Sequence, residues 1–144
     1  MRTWRSEKGA ALLEAAITIP ILLLIAVAIL EFGRAYQTWQ VLTNAAREGA
    51  RIAVLPELTP TVVENRVREY MRAGQLRNAD TADVAVDQTS ITVNGVAVSA
   101  SRVTVNYPFT FIALQPVARL VAPETTAGAP LTMQAQALMR NETQ

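Results

Sequence analysis

One apolar block, residues 10–30, constrains this chain more than any other feature of its sequence. Within these twenty-one residues, Glu14 is the only charged side chain and Thr18 the only other polar one. At 1.5 Å of rise per residue, a helix of this length extends over about 30 Å, which is the thickness of the hydrocarbon core of a bilayer. The block therefore predicts a transmembrane helix.

The charges on either side of the block predict its orientation. The preceding residues carry three basic side chains against one acid: Arg2, Arg5 and Lys8 against Glu7. On the other side, Glu31 and Arg34 cancel each other. Because positive flanks stay in the cytoplasm, we expect the N-terminus inside and everything after Leu30 outside.

A cleaved secretory signal is the alternative explanation of the block. The basic flank suits a signal, and residues 26–28 (Ala-Val-Ala) are typical of a small-residue cleavage site. However, the block is longer than the apolar region of an ordinary signal, and Glu14 and Pro20 interrupt it. Ile29 and Leu30 also extend it beyond that cut. An uncleaved anchor is the preferred hypothesis.

The rest of the composition disfavours catalysis and nucleic-acid binding. The 144 residues include neither cysteine nor histidine, which removes the usual thiol nucleophile, general base and zinc ligands. The net charge of +1 and the lack of a basic stripe with aromatics give nucleic acid nothing to bind. Asp80, Asp83 and Asp87 lack EF-hand spacing and are interpreted as a solvated linker with capping aspartates. We expect no enzymatic activity, no catalytic or metal-binding residues and no cofactor.

Glu14 requires an explanation, because an unpaired charge in hydrocarbon costs roughly 2.5–3.5 kcal/mol. If the chain is cut between Gly9 and Ala10, the new ammonium group on Ala10 lies on the same helical face, four residues before Glu14. The ion pair can form within one chain or between neighbouring chains, and the second arrangement makes Glu14 an assembly residue. Alternatively, Glu14 lies close enough to the inner interface to reach water, and Gly9 occurs there by chance.

The stretch from Lys8 to Pro20 resembles the processing site of type IV prepilins. Their pattern is a short basic leader that ends in glycine, then a small or apolar residue, with glutamate fifth after the cut. Gly9, Ala10 and Glu14 occupy these positions. The resemblance implies that residues 1–9 form a leader, which a membrane-bound prepilin peptidase removes on the cytoplasmic side.

Two further motifs extend the resemblance. Glu14 to Pro20 forms an E-x-A-x-x-x-P run, and "EFGR" and "AAREGAR" follow it at residues 31–34 and 45–51. These stretches resemble the TadE-like family of minor pilins and pseudopilins from tight-adherence pili and related secretion systems. The residues that carry the second part are Glu31, Gly33, Arg34, Ala46, Arg47, Gly49 and Arg51.

The resemblance implies a pilin-like structural or assembly component of the bacterial inner membrane, which is either held there until it enters a surface pilus or used to prime assembly. Its expected partners are the lipid bilayer, the prepilin peptidase, and other pilin-like subunits or pilus assembly proteins.

The helical pattern continues beyond the apolar block. Apolar or small residues recur at three- and four-residue steps, at Phe32, Tyr36, Trp39, Ala46, Gly49 and Ala53. One helix is predicted from Glu7 to Val54, ended by Pro56. We interpret the aromatic side chains as packing against the outer domain, with contact to a partner helix as the second hypothesis. Pro20 should kink or loosen the helix, because it removes one backbone hydrogen bond.

Residues 55–144 predict a small α+β domain. Thr59, Pro60 and Gly74 mark the ends of a helix with one apolar face. Three or four strands follow, including a hairpin that turns at Asn94-Gly95. A strand around Val103–Phe109 places Pro108 at a strand end or edge, a short amphipathic turn follows near residues 112–121, and "LTMQAQALMR" is the last strand.

The sequence therefore predicts a pilin-like α+β fold, in which a long N-terminal transmembrane helix continues outside and packs on a small antiparallel sheet. The expected segments are a basic leader (1–9), a transmembrane helix (10–30), its extracytoplasmic continuation (31–54) and an α+β domain (55–144). The alternative function is an extracytoplasmic binding or adhesion module on a single-pass anchor. The strands carry few of the aromatic and arginine side chains that anchor recognition, which favours the structural role.

Overall fold

The computed structural model describes residues 3–56 and 58–141, and side chains from Gly9 onward except that of Glu57. Arg2 and the side chains of Arg5 and Lys8, on which the expected orientation depends, lie outside this description. The elements are α1 (Thr3–Ala53), α2 (Pro60–Ala73), a 3₁₀ turn (Ala79–Thr81), β1 (Asp83–Val93), β2 (Val96–Phe109), α3 (Leu114–Val121) and β3 (Leu131–Arg140). The predicted α+β class is confirmed.

Helix α1 contains 51 residues and continues through Pro20. It already includes Thr3, because neither proline nor glycine interrupts the residues before the predicted start at Glu7. It ends at Ala53, one residue before the predicted end, because Pro56 disfavours helical geometry in the residue before it. An 18-residue window of this helix has a mean hydropathy of 2.6 and none of it is buried, which fits a single-pass membrane anchor.

The three strands form one antiparallel sheet in the order β1-β2-β3. β1 and β2 are the predicted hairpin: Val93 pairs with Val96 around Asn94 and Gly95, whose φ angles are 51° and 80°. A two-residue hairpin turn whose twist matches that of its strands requires a positive φ at both central residues. β3 matches the predicted last strand.

The sheet has three strands, within the predicted three or four, because the second arm of the hairpin and the segment around Val103 form the single 14-residue strand β2. One expectation about the strands is wrong. Asp83 and Asp87 lie in β1 rather than in a linker. Both are exposed, whereas Val84 between them is buried, because side chains alternate between the two faces of a strand. A solvated face accommodates carboxylates without cost.

Helix α2 confirms the predicted element, but Thr59 does not cap it with its side chain. The backbone carbonyl of Thr59 instead accepts hydrogen bonds from the amides of Val62 and Val63, at 3.0 and 3.4 Å. Pro60 occupies the first turn, where its missing N–H leaves no helical bond unmade.

The chain forms two compact units, and α1 contributes to both. The first unit contains α1 as far as Arg34 together with Thr110–Pro130, which includes α3. The second contains Ala35–Phe109 together with β3. The core of the second unit combines small α1 residues with apolar side chains of α2 and β2; its fully buried members include Leu42, Ala45, Ala46, Ala50, Val63, Val67, Met71, Val103 and Val105.

Tyr36 and Trp39 do not belong to this core, which corrects the interpretation of the stripe for these two side chains, whereas Phe32 meets Phe111 edge to face in the first unit. Phe32, Tyr36 and Trp39 are 62%, 60% and 48% exposed. The part of α1 in the second unit buries alanine and glycine instead, because small side chains allow a helix to approach its neighbours closely. At Gly49 an added Cβ would lie 2.5 Å from Cγ2 of Val67 and 3.1 Å from Cγ1 of Val103.

Candidate functional site in helix α1

The residues predicted for processing lie on an exposed part of α1. Gly9, Ala10 and Glu14 are all exposed and share one continuous helix, so Ala10 and Glu14 lie on the same face. A Cβ added to Gly9 would have no described atom within 4 Å. Glu14 forms no ion pair with the side chains that the structure describes from Gly9 onward. Cleavage, and a role for Glu14 in assembly, stay predictions.

Glu31 holds a distant segment of its own unit. Its carboxylate is nearly buried, and Oε1 accepts hydrogen bonds from the backbone amides of Ile112 and Ala113 at 2.7 and 2.6 Å. Ala113 immediately precedes α3 and has no side chain that could cap it. The negative charge of Glu31 therefore sits at the N-terminal end of α3, where the helix dipole favours an anion.

Arg34 completes the arrangement from the next turn of α1. Its Nε and a terminal nitrogen donate to Oε2 of Glu31 at 3.1 and 2.7 Å, and that same terminal nitrogen donates to the carbonyl of Thr110 at 2.5 Å. We call Glu31, Arg34 and the backbone of residues 110–113 the Glu31 clasp. Hydrogen bonds in which the donor or the acceptor is ionised are stronger than neutral ones, so the clasp fixes the entry to α3.

Glu48 makes the corresponding contact in the second unit. Its carboxylate accepts hydrogen bonds from Nε and a terminal nitrogen of Arg51, both at 2.9 Å, and from two nitrogens of Arg66 on α2, both at 3.3 Å. The hydrogen bonds from Arg51, reinforced by those from Arg66, hold the pKa of Glu48 below its ordinary value. We call Glu48, Arg51 and Arg66 the Glu48 cluster; it joins α1 to α2.

Comparison with known proteins bears directly on this helix. The model of the family described as TadE-like protein matches residues 9–51. Residues 9–51 are therefore similar to this family, and we call them the TadE-like segment. No curated protein and no solved structure gives a significant match. The resemblance seen in the sequence is thereby confirmed over this segment.

The TadE-like segment supplies every α1 residue of the clasp and of the cluster. In its "EFGR" motif, Glu31 and Arg34 are the two side chains of the clasp. In "AAREGAR", Ala46 is fully buried, Gly49 allows the close approach to α2 and β2, and Arg51 bonds Glu48. The two motifs therefore stabilise different units of the chain.

Two motif residues make no such contribution. Arg47 is exposed, and a Cβ added to Gly33 would have no described atom within 4 Å. The structure gives no physical account of a requirement for glycine at position 33.

Sequence reasoning missed the partners of the motifs rather than the motifs themselves. Glu31 and Arg34 were expected to cancel each other's charge and to belong to the family motif, with no partner predicted for either elsewhere in the chain, and Glu48 was not among the predicted site residues. The segment that Glu31 binds lies about 80 positions further along the chain, and no periodicity connects the two. The one local signal is that α3 begins after Ala113, which cannot cap it.

The described part of the chain has no arrangement suited to a metal ion. Within residues 3–56 and 58–141, no three carboxylates lie close enough together to hold one. The charged side chains of the clasp and the cluster bond each other or the backbone, so their chemistry is that of structural contacts.

Proposed function

We propose that this chain is a non-enzymatic, membrane-anchored, pilin-like component of a tight-adherence pilus or a related secretion system. The observation that carries the proposal is the coincidence of the TadE-like match with one exposed apolar helix: residues 9–51 include the whole apolar block of α1. In this proposal the chain crosses the bacterial inner membrane once, with its N-terminus in the cytoplasm and the second unit outside.

In the same proposal, a prepilin peptidase cuts between Gly9 and Ala10, and Glu14 then pairs with the new ammonium group of its own chain or of a neighbour. The exposure of all three residues supports this, because a peptidase and a neighbouring subunit both need access to them. The exposed aromatic side chains of Tyr36 and Trp39 also favour a partner helix, which was the second hypothesis for the stripe.

The alternative, an adhesion module on a single-pass anchor, places recognition in the second unit. The family match supports the structural role instead, because it covers α1 and ends at residue 51, before α2 and the sheet.

The test compares Glu14→Gln with the parent and with Glu14→Asp, which retains the charge. We expect Glu14→Gln to insert normally, because it removes a charge from the apolar block, and to lose crosslinks between subunits. Glu14→Asp should retain most of these crosslinks. The mass of the membrane-extracted protein reports the N-terminus, and Gly9→Leu should leave the leader attached. Unchanged crosslinking in Glu14→Gln would remove the ion pair from the proposal.

A further inference from the structure

The first unit exposes a row of apolar side chains beside the transmembrane segment. Pro116 and Leu120 are four residues apart and lie on one face of α3, Ile112 is exposed two residues before the helix begins, and Val121 is exposed at its last position. Ile112 is 64% exposed and Leu120 is 75% exposed. We call these four residues the α3 row. Single exposed apolar side chains need no explanation, but several of them together on one short segment indicate a surface that is covered in use.

The Glu31 clasp fixes how far the start of the α3 row lies from the end of the apolar block, and therefore from the hydrocarbon core. Glu31 directly follows the last residue of the apolar block, and it bonds the amides of Ile112 and Ala113. One turn of helix advances about 5.4 Å, and the headgroup layer on each side of the hydrocarbon core is about 5–7 Å thick. The start of α3 is therefore held within the depth of the outer headgroup layer.

Aromatic side chains join the two apolar surfaces. The rings of Phe32 and Phe111 meet edge to face with their centroids 6.2 Å apart, and Phe32 remains largely exposed. Ile29 and Leu30 are also exposed, at 67% and 75%. The exposed apolar surface of the span thus continues through this aromatic pair.

The charge of this segment suits a lipid surface. From Thr110 to Pro123 the only charged side chain is that of Arg119, which is exposed in the last turn of α3. A basic residue beside exposed apolar side chains is the pattern of helices that lie in the headgroup layer. With eight residues, α3 is too short to bind a membrane well by itself, but α1 and the clasp keep it at high local concentration.

We propose that α3 lies in the outer headgroup layer of the bilayer, with the α3 row inserted among the acyl chains. The inference rests on the membrane anchor of the proposed function and adds a second point of lipid contact. It commits to lipid as the occupant, because the row is continuous with the surface that the span presents to lipid. A second copy of this chain is the competing occupant.

Fluorescence quenching tests the inference on the full chain in liposomes. The sequence contains no cysteine, so one introduced cysteine carries one environment-sensitive label. The test position is Leu120→Cys. Ile25→Cys, within the span, is the reference for lipid contact, and Thr92→Cys, exposed in β1, is the reference for water. Brominated lipids quench from the acyl chains, and iodide quenches from water.

We expect brominated lipids to quench the label at Leu120 as they quench the label at Ile25, and iodide to quench it far less than the label at Thr92. Quenching by iodide alone at Leu120, with Ile25 still quenched by lipid, would overturn the inference and leave the anchor intact. Protection from both quenchers would assign the α3 row to a second copy and also overturn it. If Ile25 itself escapes lipid quenching, both the anchor and this inference are wrong.

The clasp provides a second measurement in the same system. Glu31→Ala, combined with Leu120→Cys, removes the acceptor that holds the amides of Ile112 and Ala113. We expect lipid quenching at Leu120 to fall while quenching at Ile25 in the matched variant stays unchanged. Glu69→Ala, which breaks an exposed ion pair in the second unit, is the control and should change neither. Equal quenching with and without Glu31 would overturn the role given to the clasp.

Discussion

At the scale of single residues, three glutamates of α1 differ in their surroundings and therefore in the roles that we assign to them. Glu14, Glu31 and Glu48 all lie on α1, yet their surroundings differ. Glu14 is exposed within the apolar block, Glu31 is nearly buried against backbone amides, and Glu48 receives two arginines. Only the last two have partners among the described side chains and backbone, so they hold the fold, whereas Glu14 remains open to a partner from outside the described residues.

Glu48 should make the stability of the second unit depend on acid. Because its pKa is below the ordinary value of 4.5 in the folded chain, the unfolded chain binds more protons as the pH falls past 4.5. The contribution of Glu48 is therefore complete above pH 4.5 and is lost below it, as the pH falls through the lowered pKa of the folded protein. We expect the unfolding midpoint of the parent to fall more steeply there than that of Glu48→Gln.

Unfolding of the full chain in detergent micelles, followed across this pH range, measures the difference. Arg66→Gln, which removes one of the two partners of Glu48, should give an intermediate slope. Identical slopes for the parent and Glu48→Gln would show that the cluster adds nothing to stability.

At the scale of elements, Gly49 and Gly33 of α1 allow the effect of side-chain packing on stability to be measured apart from that of helix propensity. Gly49 lies against Val67 and Val103, whereas a Cβ at Gly33 would meet nothing within 4 Å. Alanine at position 49 overfills a packed site, which typically costs about 1–3 kcal/mol and outweighs the gain in helix propensity. Alanine at position 33 should instead stabilise the helix by about 0.5–1 kcal/mol.

The two substitutions serve as controls for each other, since each adds one methyl group to the same helix. Thermal unfolding in micelles should move in opposite directions for Gly49→Ala and Gly33→Ala. A shift of the same sign in both would mean that close packing at position 49 does not limit this fold.

Elements were predictable where their signals are local. Pro60 marked the start of α2 and Asn94-Gly95 marked the hairpin, because these residues fix backbone geometry within a few positions. Gly74 does follow α2, but with an ordinary φ of −76°. The Glu31 clasp was not predictable, because a hydrogen bond to a backbone amide leaves no trace in the sequence of the segment that donates it. The exposure of Tyr36 was not predictable either, since an aromatic stripe at helical spacing looks the same whether it packs inside one chain or against another.

At the scale of the whole molecule, the second unit depends on α1 for its core. Leu42, Ala45, Ala46 and Ala50 are fully buried there, and Glu48 joins the helix to α2. A fragment that begins at Leu55 lacks all of these contacts. We expect it to expose the apolar faces of α2 and β2 and to lose cooperative unfolding, whereas a fragment that begins at Ala35 should unfold in one transition.

Circular dichroism during thermal unfolding distinguishes the two fragments at equal concentration. The fragment from Ala35 should show both helix and strand signals. A cooperative transition in the shorter fragment would show that the second unit folds without α1. The boundary of the independently folding domain would then lie after α1.

The continuity of α1 has a consequence for proteolysis if the chain is anchored as proposed. A protease that cuts α1 between Ala35 and Ala53 would then separate the second unit from the anchor and remove part of its core in the same event. Only a cut between Leu30 and Ala35 would release the second unit whole, and there Glu31 and Arg34 are engaged with residues 110–113. Release of an intact second unit would thus require a cut in one short stretch whose side chains are held by hydrogen bonds.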